Sequence, residues 1–150
     1  MAKLKAGLKK KPTKALRDLE KIATNMGGPN SVRIGLPKGT NNYPDGTSTI
    51  MVGTVHEFGS PSRGIPQRSY LRSTLVEGKR QYKRTLKNLA GKIVDGKITK
   101  TEALNLLGLH VQTDVRDKIT DLTTPALKSR DGNPLVDTGH LRQSITFEVE

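Results

Sequence analysis

Cysteine and tryptophan are both absent from this chain, and three tyrosines and two phenylalanines are its entire aromatic stock. Without cysteine there is no disulfide framework, no thiol nucleophile and no thiolate zinc site, and the redox compartment is left open. With so few rings there is neither a stacking platform for bases nor much bulk to fill a core. A long apolar run is missing too. Nothing approaches the roughly 18 to 20 residues of a membrane helix, and the lysine-rich start of the chain has no apolar segment behind it. The chain is therefore expected to be soluble, with no membrane partner and no ordinary signal peptide. The last shortage is of acid: 14 aspartates and glutamates face 26 lysines and arginines, a formal net charge of +12. That balance favours a polyanion or an acidic protein surface as partner.

What is present fits a single domain over residues 1–150, with a modest core that gains from association. Residues 1–11 hold Lys3, Lys5, Lys9, Lys10 and Lys11 and read as a flexible basic arm. Thr13 can cap a helix whose Leu16, Leu19, Ile22, Ala23 and Met26 recur at three- and four-residue spacing, and Gly27-Gly28-Pro29 ends it. The period then drops to two at Val32, Ile34 and Leu36, which predicts a strand with one buried face. Residues 37–48 form a polar loop. Ile50, Met51, Val55 and Phe58 fit a short helix stopped by Gly59, and residues 60–66 form a second loop.

A long helix follows from about Leu71 to Ile93, with Leu75, Tyr82, Leu86, Leu89 and Ile93 on one face and Lys79, Arg80, Lys83, Arg84 and Lys87 on the other. Asp95-Gly96 turns the chain. Thr99 or Thr101 caps the next helix, which has an apolar stripe of Leu104, Leu107, Val111, Val115, Ile119 and Leu122, and Pro125 closes it. After a loop with Asp131-Gly132-Asn133-Pro134 come a short turn or helix near His140 and a strand through Ile145, Phe147 and Val149. The sum is α+β: a small, mostly antiparallel sheet packed against two to three longer helices.

Candidate chemistry is sparse. Asp137-Thr138-Gly139 after Leu135-Val136 matches the loop of dimeric aspartic proteases, in which two such aspartates share a proton. Its competing role is local, with Asp137 or Thr138 capping a helical turn that begins at His140. His56, His110 and His140 lack metal-ligand spacing, and His110 fits a partly buried, hydrogen-bonded place beside its helix stripe. For His56-Glu57 the expected role is packing or a subunit contact. No glycine-rich loop is placed to cradle phosphate, and no cofactor or metal is implied. The remaining functional candidate is the basic strip of Lys79, Arg80, Lys83, Arg84 and Lys87. It suits either sequence-independent contact with duplex DNA or an acidic protein partner.

Two blocks carry a family resemblance. Val55-His56-Glu57-Phe58-Gly59 with Ile65-Pro66-Gln67-Arg68-Ser69-Tyr70-Leu71-Arg72 is the first, and Pro134-Leu135-Val136-Asp137-Thr138-Gly139-His140-Leu141-Arg142-Gln143-Ser144-Ile145 is the second. Together, with the Val32 strand ahead of them, they resemble the neck and tail-completion (virion morphogenesis, tail-terminator-like) proteins of long-tailed double-stranded DNA phages. At Ser69-Tyr70 that family more often has Pro-Phe; the ring is kept and a backbone constraint is lost.

The resemblance implies a non-enzymatic structural subunit, made in the host cytoplasm and placed in the virion. There it would form a homo-oligomeric ring, six subunits being the family's number, between connector and tail-tube proteins and near the genomic DNA. Tyr70, Leu71, Leu135, Val136 and Leu141 would then anchor the blocks in the core. Arg68, Arg72 and Arg142 would lie exposed beside them as interface residues, with Tyr43 and Arg63 on the two contact loops.

Overall fold

In a computed structural model, residues 13–126 and 133–150 are described. The basic arm expected over residues 1–11, and most of the loop around Asp131-Gly132, lie outside them. The fold is α+β, as expected: among the described residues there are five α-helices and one two-stranded antiparallel sheet.

Helix α1 (Lys14–Asn25) starts where Thr13 accepts a hydrogen bond from the Leu16 N–H at 3.3 Å. Strand β1 (Val32–Gly35) follows it. Helix α2 (Thr49–Phe58) is capped by Ser48 and ends at Gly59, whose φ of 76° a side chain would resist. After a 3-10 turn at Pro61–Arg63 come α3 (Leu71–Val94) and α4 (Lys100–Asp121), a long antiparallel pair. They are joined through Gly96 at φ 70° and a reciprocal capping box between Thr99 and Glu102. The chain closes with α5 (His140–Ser144) and β2 (Thr146–Val149).

β2 pairs with β1, Ile34 opposite Phe147 and Val32 opposite Val149, and the sheet lies against α4. Phe147 can lie on α4 because Gly108 has no side chain; a Cβ there would collide with the ring. The main core gathers Tyr82 of α3 and Val111, Val115 and Ile119 of α4 with Tyr70, Leu135, Leu141 and Ile145. Burial of Ile119, Leu141 and Ile145, each fully covered, stabilises by about 1.5–3 kcal/mol apiece. Leu89, Ile93 and Ala103 form a second cluster at the helix turn.

Two expectations about helix faces need correction. On α3 the buried seam is Thr74, Tyr82, Leu89 and Ile93, while Leu75 and Leu86 are exposed, because the pairing with α4 selects a line one residue away from the most apolar one. On α2 most of the expected face turns outward, Val55 alone of it staying half-buried. Thr49, Gly53 and Glu57 face inward and Ile50, Met51 and Phe58 face outward. On α1 no residue is buried at all.

Candidate functional site

The two blocks meet in space around the C-terminal end of α2 and the N-terminal end of α3. Helix α3 opens at Tyr70, which offers no side-chain cap of its own. The cap comes from Glu57, the last inward position of α2, only 3% exposed. Its carboxylate accepts from the Tyr70 N–H at 2.8 Å, the Leu71 N–H at 2.9 Å and the Arg72 N–H at 3.1 Å. The Ser69 hydroxyl and Arg72 Nε also donate to it, at 2.7 and 2.9 Å. Three orphan backbone donors and the positive end of the helix dipole are thereby satisfied by one buried anion. Burial alone would raise the Glu57 pKa, but the hydrogen bonds from Leu71, Ser69 and Arg72 outweigh it and hold the group below its ordinary value.

Arg68 is the site's main correction. Instead of lying exposed for a neighbour, it is 3% exposed and clamps the segment after α4, donating from Nε to the Pro125 carbonyl at 2.6 Å and from Nη2 to that of Ala126 at 2.9 Å. Burial lowers its pKa. Its own N–H is held by the His56 carbonyl at 2.7 Å. Arg72 is half in solvent, but it is committed within the chain, paired with Glu57 and lying over the Phe58 ring at 4.4 Å. Arg142 is exposed, its guanidinium bonding among the described residues only the Thr120 hydroxyl at 3.3 Å, and Arg63 is exposed on the 3-10 turn. The lysines and arginines of the α3 strip are likewise all exposed.

The second block is built by local hydrogen bonds. Asn133 accepts from the Leu135 and Val136 N–H groups at 2.7 and 3.1 Å, and it ties the block to the Ile119 carbonyl at the end of α4. Thr138 accepts from the His140 N–H at 3.3 Å, but the N-cap position of α5 is Gly139, without a side-chain cap, in place of the Asp137 or Thr138 cap expected. Asp137 is exposed and leads into α5 rather than sitting between strands. Gln112 and Arg116 both donate to the Ile145 carbonyl at 2.8 Å and so fasten the block to α4.

Between the blocks lies a cleft of about 300 Å³ bordered by Tyr43, Asp45, His56, Asp137, Thr138 and His140. Tyr43 belongs to the loop before α2, which folds over α5 so that the Tyr43 and His140 rings stand 4.6 Å apart. Burial, then the Asp137 charge, raises the Tyr43 pKa.

A threonine and a histidine do meet here, with Thr49 Oγ1 3.0 Å from His140 Nε2. The pair is not poised for nucleophilic attack. The Thr49 hydroxyl is fully buried and donates to the Asn41 carbonyl at 2.7 Å, so Nε2 must hold the ring proton and cannot take one. His56 keeps a buried Nδ1 that has no hydrogen-bond partner among the described residues, and burial, then the charge of Arg68, lowers its pKa. Among the described residues no group of three or more His, Asp or Glu could hold a metal ion, and no helix is long and apolar enough to cross a membrane.

Glu57 and Arg68 are the junction residues whose places periodicity does not show. Their roles depend on partners more than ten residues away, and the one local sign is that Tyr70 leaves α3 without its own cap. No family model, curated protein or solved structure matches the chain.

Proposed function

We propose that this chain is a structural subunit of a tailed phage, one that closes into a ring in the neck or at the top of the tail, completes the tail and joins it to the DNA-filled head. The observation that carries the reading is the placement of apolar side chains. Met51 and Phe58 of α2 and Val76 of α3 are 55%, 59% and 73% exposed, around the junction where Arg72 covers Phe58. Met51 and Phe58 are seven residues apart on one face of α2 and Val76 is one turn beyond Arg72 on α3, and exposed apolar side chains so placed suit a surface that another protein covers. Glu57, Arg68, Ser69 and Arg72 of the first block, by contrast, are used inside the chain as caps and clamps, which suits a rigid part better than a catalyst.

The family resemblance supplies the kind of assembly, and a ring requires two different faces of the chain to meet head to tail. Arg63 and Arg142 remain free to pair with a neighbour's acids. Electron microscopy of the purified chain mixed with tails that lack it tests the reading. A closed ring at one end of each tail is expected. Chains bound nowhere, or along the whole tube, would overturn it.

A further inference from the structure

We infer that the outward face of α3 is a binding surface for the phosphate backbone of duplex DNA, independent of base sequence. Lys79, Arg80, Lys83, Arg84 and Lys87 are all exposed, and none makes an ion pair or side-chain hydrogen bond with another described residue. Three other cations do find acids, Arg72 with Glu57, Lys97 with Asp95 and Lys118 with Glu77. Glu77 is the only acidic residue of α3, and Lys118 takes it at 2.9 Å.

From Lys79 to Lys87 the helix rises about 12 Å, so five uncompensated charges stand within little more than two turns, across the helix from the Tyr82 and Leu89 seam. Each like-charged pair at this spacing destabilises the helix by about 0.2–0.5 kcal/mol, and a dense anion removes that cost. Duplex DNA, with a charge every ~1.7 Å of axis, matches the density. Among the described residues no acid makes an ion pair or side-chain hydrogen bond with the strip, although Asp18, Glu20, Asp45, Glu102, Asp117, Asp121 and Glu148 have no ion pair of their own. The surface does not depend on the ring reading, since the strip is complete in one chain.

The test is fluorescence anisotropy of the full chain with a labelled duplex of about two helical turns, in two unrelated sequences, from about 0.05 to 0.2 M salt. Each phosphate contact contributes ~0.9 to the slope of log affinity against log salt. Replacing Lys83, Arg84 and Lys87 together by Gln is expected to reduce that slope by about 2.7 for both sequences and to leave the chain folded, with thermal unfolding at the parent's temperature or above it as the repulsion is relieved. A control with the same loss of charge, Lys14→Gln, Lys21→Gln and Lys38→Gln, is expected to keep the parent slope. Equal slopes for strip variant and parent, or an equal fall in the control, would overturn the proposal. So would a parent that ignores DNA and instead self-associates in a salt-sensitive way through the strip, which would assign the face to an acidic protein surface.

Discussion

Glu57 is the residue on which the junction of the two blocks depends. Replacing it by Gln keeps the shape but removes the charge that three backbone N–H groups and Arg72 address. The expected loss is about 1–3 kcal/mol, read as a lower urea midpoint with an unchanged slope. Arg72→Glu, which a free interface arginine would tolerate, is expected to destabilise for the same reason, by setting a second carboxylate against the first.

Acid should act through two groups in separate ranges. The folded pKa of His56 lies below its unfolded value of about 6.5, so its contribution is complete above that pH and is lost as pH falls toward the folded pKa. Glu57, also lowered, contributes fully above its unfolded value of about 4.3 and loses its contribution as pH falls through its folded one. Thermal melts of His56→Gln are therefore expected to be flatter than the parent's just below pH ~6.5 and equally steep in stronger acid; identical profiles would remove His56 from the account. Gly59 has a conformational role, because at φ 76° its Cβ would stand 2.9 Å from the Gln67 nitrogen. Gly59→Ala is expected to cost about 1–3 kcal/mol in the same denaturation assay.

At the scale of elements, much was legible before the structure and the exceptions have a common cause. The caps at Thr13 and Thr99, the stop at Gly59, the strand at Val32 and the short helix at His140 are local events, decided by residues within four positions of one another. The face each helix buries is decided by what it meets. α2 buries Thr49, Gly53 and Glu57 because Asn41, Tyr70 and the start of α3 supply partners for them. An apolar-stripe rule reads the opposite face. The burial of Arg68 is hidden from the sequence for the same reason, since its carbonyl partners lie 57 and 58 residues away. Gly108 shows an element-scale dependence that helix propensity hides. Ala there favours an isolated helix by about 1 kcal/mol, but its Cβ would collide with Phe147. Gly108→Ala is expected to lower the melting temperature, with a net cost of about 1–2 kcal/mol after overpacking.

For the whole molecule, the two blocks that carry the family resemblance build one junction, in which Glu57 and Arg68 are buried along with Tyr70, Leu135, Leu141 and Ile145 while Met51, Phe58 and Val76 stay exposed around it. That division gives a folded chain an incomplete surface, which a ring of copies would complete. Arg142, Arg63 and the apolar junction are where neighbouring chains should meet, and α3 presents its charge elsewhere. The most direct measurement is the mass of the purified chain by light scattering at about 0.15 M salt, where exposed charges are largely screened, alone and with tails. The expected result is a fixed assembly near six times the 16.4 kDa chain, alone or formed on the tails, that Met51→Asp with Val76→Asp reduces to single chains. A parent that stays a single chain at every concentration, and with tails present, would contradict the ring.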